Sequence, residues 1–176
     1  MLEWLRKYFP SLNVVVNNAA VMHEYNFLDG QRHTDKVEEE IGINLTAQIK
    51  LIDELIPLLR VQRQAAIVNV TSAVAKIVLE SAPVYCASKA GLEMFTKALR
   101  DQLRGMDIAV FEVIPPPVDT QMCKGSCPKI SPEKLVEESL QAIKDNRYEI
   151  RAGATKLYYF LNWISPSLAK SALGRI

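Results

Sequence analysis

The chain has 176 residues, of which 49% are hydrophobic, and its 21 Lys and Arg nearly balance its 20 Asp and Glu. A chain of this size and composition can bury a core as one soluble domain over residues 1–176. The near-zero net charge argues against nucleic acid as a partner, because phosphate binding requires a surplus of basic residues. The three cysteines are an odd number without a secretory leader, which predicts a reducing compartment, the cytoplasm.

The first predicted elements are a short helix and a buried strand. Met1–Phe9 is apolar at helical spacing, and Pro10 ends it. The apolar run Leu12–Val16 then predicts a buried parallel strand. This strand ends in the polar sequence Asn17-Asn18-Ala19-Ala20.

A long helix is predicted from Thr34 to Pro57, because acidic residues crowd its first turns and apolar residues then recur about every 3.6 positions. Asn44 lies in its middle, and a polar residue on the solvated side is the simpler interpretation. His23 and His33 stand alone in the segment before this helix. Isolated loop histidines are usually solvated, so we predict no role for them.

A second buried strand is predicted over Ala66–Thr71, and Ser72 follows it directly. Parallel sheets place their sites at the carboxyl ends of their strands, so Ser72 is well placed for one. The apolar segment Ala73–Glu80 predicts a loop able to cover a substrate. The next helix begins near Pro83, a residue favoured in a first turn, and runs to about Arg104.

Tyr85 and Lys89 lie one turn apart on this helix, so their side chains project from the same face. A phenol with a pKa of about 10 exchanges protons poorly at neutral pH. An ammonium beside it stabilises the phenolate and lowers that pKa, which makes the phenol usable for acid–base chemistry. A Tyr and a Lys at this spacing are also common on ordinary surface helices.

The last predicted elements are a strand, a flexible loop, a helix and a short strand. A third strand, Asp107–Ile114, ends in Pro115-Pro116-Pro117-Val118-Asp119-Thr120, and a flexible loop covers Gln121–Ile130. A helix over Ser131–Asn146 begins with a serine cap and a proline, and Tyr148–Arg151 predicts a short strand.

Two features of this region suggest no chemistry of their own. Cys123 and Cys127 lie close in sequence, but no second ligand pair completes a zinc set, so we predict incidental loop residues and no metal. The apolar tail after Gly153 is shorter than the ~20 residues that span a bilayer. Core packing or a subunit interface is its simpler interpretation, and a helix on a membrane surface is the alternative.

Taken together, these motifs resemble the short-chain dehydrogenase/reductase family from Leu12 to about Gly153. That family has an Asn-Asn-Ala-Gly strand end, a helical Asn, a Ser before a Tyr-x-x-x-Lys helix and a Pro-Gly-x-Val-x-Thr turn, in this order. The chain departs from the pattern at Ala20 and Pro116, which stand where glycines are usual. A Pro-Pro version of the last turn occurs in a bacterial subgroup.

The resemblance implies roles for four catalytic residues. Ser72 would hydrogen-bond the substrate oxygen, Tyr85 would exchange the proton, and Lys89 would lower the pKa of Tyr85 and hold the cofactor ribose. Asn44 would distort its helix and support a water relay to the lysine. The implied cofactor is NAD or NADP, and its implied contacts are Asn18, Ala19, Ala20, Tyr85, Lys89, Pro115, Val118 and Thr120.

The implied fold is α/β, the C-terminal part of a doubly wound Rossmann-type sheet, with parallel strands in sequence order and helices on both faces. The sequence contains no Gly-rich turn of the kind that binds a dinucleotide pyrophosphate at a helix N-terminus. We therefore expect the chain to begin inside the family's fold and to lack this turn.

Two functions stay open on these grounds. The first is an NAD(P)-dependent oxidoreductase acting on a small-molecule carbonyl or alcohol. The second is a catalytically silent fragment or scaffold that cannot bind the cofactor by itself. With either, we expect a homo-oligomer, formed through the helices at Asn44–Pro57 and Pro83–Arg104 or through the unpaired Val14–Val16 edge.

Overall fold

The computed structural model describes residues 2–123 and 125–173, and a parallel β-sheet lies at the centre of the molecule. Its strands are β1 (Val14–Asn17), β2 (Ala65–Val70), β3 (Ile108–Ile114) and β4 (Glu149–Arg151). They lie side by side in sequence order, and every pairing is parallel. The predicted α/β class and strand order are confirmed.

Helices connect and flank these strands. They are α1 (Leu2–Tyr8), α2 (Thr34–Ile41), α3 (Ala47–Leu59), α4 (Pro83–Gln102), α5 (Pro132–Lys144), α6 (Thr155–Ile164) and α7 (Pro166–Leu173). The predicted caps hold for α5, where Ser131 Oγ accepts a hydrogen bond from Lys134 N. The long helix predicted from Thr34 is instead divided by a π-helical turn over Gly42–Thr46.

Both faces of the sheet are covered, as the sequence predicted. On one face, Val15, Ile67 and Val110 pack against α3 and α4. On the other face, Val68, Phe111 and Val113 pack against α5. Strands buried on both sides have no solvated side, which is why β2 and β3 consist almost entirely of apolar residues.

Helix α4 approaches the π-helical turn closely through Gly91. A β-carbon at Gly91 would lie 3.0 Å from Leu45 Cδ2, a contact tighter than nine in ten that real β-carbons make. The absence of a side chain at Gly91 therefore permits close packing between α4 and this turn. This packing holds α4 directly against the segment that contains Asn44.

The C-terminal helices pack against the apolar loop that follows Ser72. Tyr158, Ala169 and Leu173 contact the cluster that contains Val74 and Ile77. Core packing of the tail is thus confirmed for one side of α6 and α7. None of the helices formed by the described residues is long and apolar enough to cross a membrane.

His33 contradicts the prediction that it is solvated, because its side chain is only 8% exposed. The imidazole lies edge-on to the rings of Tyr25 and Phe27, and its Nε2 lies 3.2 Å from the Asn26 carbonyl oxygen. Neighbouring aromatic residues in the loop therefore provide it with an apolar site. His23 is only partly buried, and its Nε2 lies 2.8 Å from Glu39 Oε2.

Candidate active site

A cavity of about 720 Å³ opens at the carboxyl end of the sheet, where strands β1, β2 and β3 end. Parallel α/β sheets bind ligands at this edge. The structure places nearly all of the sequence-predicted site residues in its lining: Asn18, Ala19, Ala20, Ser72, Tyr85, Lys89, Pro115, Val118 and Thr120. Asn44 does not line the cavity.

Helix α4 projects Tyr85 and Lys89 into the cavity, as their spacing predicted. The Lys89 ammonium lies 5.7 Å from the centroid of the Tyr85 ring and donates a hydrogen bond of 2.9 Å to the Val70 carbonyl. Ser72 follows β2, and its Oγ accepts a hydrogen bond from Val74 N, which begins a 3₁₀ turn over Ala73–Ala75. The strand and the helix thus bring three functional groups to one wall.

Burial is the main cause of the pKa shifts of Tyr85 and Lys89. It raises the pKa of Tyr85 to about 12, although the nearby Ser72 hydroxyl opposes the rise. Burial also lowers the pKa of Lys89 to about 8. Burial is the largest cause of both shifts, and the role of Lys89 in lowering the pKa of Tyr85 stays a prediction. The phenol is protonated at neutral pH.

Asn44 is fully buried within the π-helical turn, so its interpretation as a solvated polar residue is wrong. Its amide accepts a hydrogen bond from Val21 N and donates one to the Val21 carbonyl, both at 2.8 Å. It also donates to Ser88 Oγ at 3.2 Å, and Ser88 donates in turn to the Tyr85 carbonyl. Asn44 thereby joins the segment after β1 to the backbone of the helix that carries Tyr85.

A second polar network ties the ends of β1 and β2 together. Asn17 Nδ2 donates to Asn69 Oδ1 at 2.8 Å, and Asn69 Nδ2 donates to Thr96 Oγ1 of α4 at 2.9 Å. Beyond β1, Gln48 Nε2 donates to the Ala19 carbonyl at 2.9 Å. The hydrogen bonds of Asn17 and Asn69 hold together the strand ends that lead to the cavity, whereas Gln48 Oε1 is buried without a hydrogen-bond partner.

The turn after β3 is held from two sides. The Pro115 carbonyl accepts a hydrogen bond from Ala73 N, which joins the end of β3 to the turn after Ser72. Gly153, at a φ of +49°, comes so close to Pro116 that a β-carbon there would lie 3.2 Å from the Pro116 Cγ. Pro116 therefore packs against the chain before α6, in addition to lining the cavity.

Sequence reasoning missed Glu40, which it counted only among the acids in the first turns of a helix. The structure buries Glu40 completely, and its carboxylate accepts hydrogen bonds from the Tyr25 hydroxyl at 2.7 Å and from His23 N at 3.4 Å. Burial raises the pKa of Glu40. Its position one helical turn before Asn44 was the available signal, because residues four apart share a helix face.

Comparisons with known proteins agree with this geometry. The family model described as short chain dehydrogenase matches residues 1–130. The chain is 40% identical over 157 residues to the uncharacterized oxidoreductase DltE of Bacillus subtilis, which covers 85% of this chain and 62% of that protein. It is 36% identical over 117 residues to the L-xylulose reductase of Caenorhabditis elegans, covering 65% of this chain and 45% of that one. The chain thus spans about half to three-fifths of the length of these relatives.

Solved structures show the same fold. A short chain dehydrogenase from Burkholderia cenocepacia in complex with NADP superposes with a TM-score of 0.81 at 24% identity, covering 93% of this chain and 71% of that one. A short chain dehydrogenase/reductase from Burkholderia phymatum in complex with NAD has a TM-score of 0.75 at 18% identity, covering 92% and 70%. At these identities the likeness establishes the Rossmann-type α/β architecture.

Proposed function

The chain belongs to the short-chain dehydrogenase family, and on that premise we propose that it carries the catalytic residues of an NAD(P)-dependent oxidoreductase. The proposed reaction is hydride transfer between a nicotinamide cofactor and a carbonyl or alcohol. One observation carries the proposal: Ser72, Tyr85 and Lys89 line a single cavity at the carboxyl edge of the sheet.

The proposed chemistry follows from the protonation state of Tyr85. A phenol whose pKa is about 12 holds its proton at neutral pH, so it can donate that proton to a substrate carbonyl oxygen. The Ser72 hydroxyl donates a hydrogen bond to the same oxygen and orients it. When bound, the nicotinamide supplies the hydride, and the ammonium of Lys89 stabilises the tyrosinate that remains after proton transfer.

The cavity fits a nicotinamide cofactor in two respects. Ala19 and Ala20 present small side chains along one lining segment, so a flat ring can approach the backbone there. Lys89 and Thr120 supply a cation and a hydroxyl for the polar parts of the cofactor. The two Burkholderia structures, one in complex with NADP and the other with NAD, also favour a cofactor of this class.

The remaining lining favours a substrate with an apolar group beside its carbonyl. Met22, Leu79 and Leu135 line the cavity and offer no hydrogen bond from their side chains. Val74 and Leu173 extend this apolar surface toward α7. A cavity with a few convergent polar groups among apolar walls is typical of small-molecule sites.

The test is single-turnover hydride transfer, measured on the longest in-frame product of the gene that contains these residues. NADH and NADPH are each supplied with a panel of apolar ketones and aldehydes. We expect Tyr85→Phe to lower the rate by about 10²–10⁴-fold, because it removes only the proton donor. Tyr148→Phe, at a half-exposed tyrosine outside the cavity lining, is the matched control. Wild-type turnover in a normally folded Tyr85→Phe variant would show that the catalytic assignment is wrong.

A second candidate function is a catalytically silent fragment or scaffold. The absence of a Gly-rich turn from the sequence favours it, because that turn brings the pyrophosphate to a helix N-terminus. Titration of nicotinamide fluorescence with the 176-residue chain tests whether this chain binds the cofactor by itself. We expect weak or no binding of NADH and NADPH by this chain alone, and micromolar affinity would contradict the requirement for the turn.

A further inference from the structure

Two thiols lie side by side in the loop between β3 and α5. Cys123 and Cys127 are each only 7% exposed, and their Sγ atoms are 3.8 Å apart. A disulfide bond is about 2.0 Å long, so the two sulfur atoms need to approach by less than about 2 Å to form one. The sequence-based interpretation of these cysteines as incidental does not explain why both are buried against each other.

The base of this loop is already closed. Asp119 N donates to the Ile130 carbonyl at 2.9 Å, and Ile130 N donates to the Pro117 carbonyl at 3.0 Å. Within the loop, Cys123 N donates to the Thr120 carbonyl at 3.1 Å. Because the two ends are held together, the sulfur atoms can join without moving the strand or the helix on either side.

The two thiols differ in their position relative to the cavity. Cys123 lines the cavity of the candidate active site, beside Met122, and Cys127 is absent from that lining. A small reagent that enters the cavity therefore reaches Cys123 first. The third cysteine, Cys86, lies on α4, where its Sγ accepts a hydrogen bond from Leu79 N at 3.3 Å.

We propose that Cys123 and Cys127 form a reversible thiol–disulfide pair that a peroxide oxidises and that locks the loop at the cavity wall. The Cys123 thiolate attacks one peroxide oxygen, so an S–O bond forms, the O–O bond breaks and hydroxide leaves as water. Cys127 then loses its proton and attacks the sulfenic sulfur as a thiolate, so the S–S bond forms, the S–O bond breaks, and the oxygen leaves with that proton as a second water. Two thiols are oxidised by two electrons, and one hydrogen peroxide is reduced to two waters.

The surroundings make this a slow reaction that needs sustained oxidant. Burial raises the pKa of Cys123, as does the neighbouring Cys127, while the Lys129 ammonium opposes the rise. Lys129 Nζ donates to the Cys123 carbonyl at 2.6 Å and lies 3.7 Å from Asp119 Oδ1. Since only the thiolate attacks, the pair stays reduced at neutral pH until peroxide accumulates.

The test needs neither cofactor nor substrate, so its result is independent of the proposed hydride transfer. The folded 176-residue chain is treated with hydrogen peroxide, alkylated, and analysed by intact mass and peptide mapping. We expect a link between Cys123 and Cys127 that dithiothreitol reverses, together with slower hydrogen exchange over residues 121–130. A chain that stays folded but forms no such link, or that links Cys86 instead, overturns the proposal.

Three single variants test the order of the two steps. Cys127→Ser should stop at a sulfenic acid on Cys123, which dimedone traps, whereas Cys123→Ser should give neither adduct nor link. Cys86→Ser is the matched control and should form the same link as the wild type. A dimedone adduct in Cys123→Ser but not in Cys127→Ser overturns the assignment of the attacking thiol.

Discussion

Lys89 is 1% exposed, and burial lowers its pKa from 10.5 to about 8. Below about pH 8 the folded protein must hold a buried ammonium, while the unfolded chain keeps the same charge in water. The cost of burial is therefore complete below about pH 8 and is relieved as the pH rises toward 10.5. Proteins commonly accept such a cost at functional positions.

We therefore predict that Lys89→Met stabilises the protein at pH 7, even though it removes a residue of the candidate site. The expected gain in the free energy of unfolding is about 1–2 kcal/mol, after the loss of the hydrogen bond to Val70. Urea unfolding at pH 7 measures it. Lys36→Met, on the exposed side of α2, should change stability by less than about 0.5 kcal/mol. A less stable Lys89→Met would show that the ammonium contributes more through its contacts than burial costs.

A second prediction concerns Glu112, a buried acid, whereas Lys89 is a buried base. It is fully buried in β3, where burial raises its pKa from 4.5 to about 7 despite a hydrogen bond of 2.8 Å from Thr71 Oγ1. Because the folded carboxyl binds its proton more tightly than the unfolded one, Glu112 lowers stability as the pH rises from about 4.5 through 7.

Glu112→Gln keeps the acceptor for Thr71 and removes the titrating charge. We expect it to stabilise the protein relative to the wild type by about 1–3 kcal/mol more at pH 8 than at pH 5. Urea unfolding at the two pH values gives this difference. Glu133→Gln, in the exposed first turn of α5, should give no such difference. Equal effects of Glu112→Gln at both pH values would contradict a raised pKa.

At the scale of elements, the π-helical turn between α2 and α3 joins the segment after β1 to α4. Asn44 makes this connection through Val21 and Ser88. Asn44→Ala would leave a backbone N–H and a carbonyl of Val21 without partners. Groups orphaned in this way cost about 1–3 kcal/mol each, so we predict a loss of about 2–4 kcal/mol in the free energy of unfolding.

Thermal and urea unfolding would measure this loss. Asn162→Ala is the control, because the Asn162 side chain makes one longer hydrogen bond of 3.3 Å to the Lys76 carbonyl near the surface. It should cost less than about 0.5 kcal/mol. An Asn44→Ala variant as stable as this control would mean that solvent replaces the bonds to Val21, and that the turn depends on packing alone.

At the scale of the whole molecule, β1 is the edge of the sheet and pairs only with β2 among the described residues. Val14 and Val16 are 45% and 58% exposed. They lie on the same face of the sheet as Val68 but outside the cluster that packs against α5. An apolar edge strand with free N–H and carbonyl groups is a template for pairing with another chain. We therefore predict a dimer or larger assembly, which light scattering can measure.

Val16→Lys should weaken this assembly, because a charge on an edge strand opposes pairing. Val61→Lys, at a valine exposed in the turn after α3, should leave it unchanged. A wild-type chain that remains a monomer at high concentration contradicts the prediction. An assembly that survives Val16→Lys would instead assign the contact to another surface, such as α3 and α4.

Much of this architecture was predictable from local sequence. The apolar runs at Val14–Val16 and Ile108–Ile114 identified strands, and Pro83 and Ser131 identified helix starts, because periodicity and capping depend on neighbouring residues. The spacing of Tyr85 and Lys89 also placed both side chains in one cavity, since one helical turn sets their direction.

Other features were decided only by tertiary structure. The packing of His33 and Glu40 against Tyr25 buries both residues, and the fold of the loop brings Cys123 Sγ and Cys127 Sγ to 3.8 Å from each other. Burial also raises the pKa of Tyr85, which the spacing of Tyr85 and Lys89 does not predict. The sequence by itself determined which elements form and which side chains share a face. The tertiary structure decided how deeply each side chain is buried and which charge state is favoured there. The desolvation of a side chain depends on all the segments that pack around it, and a local sequence pattern does not include those segments.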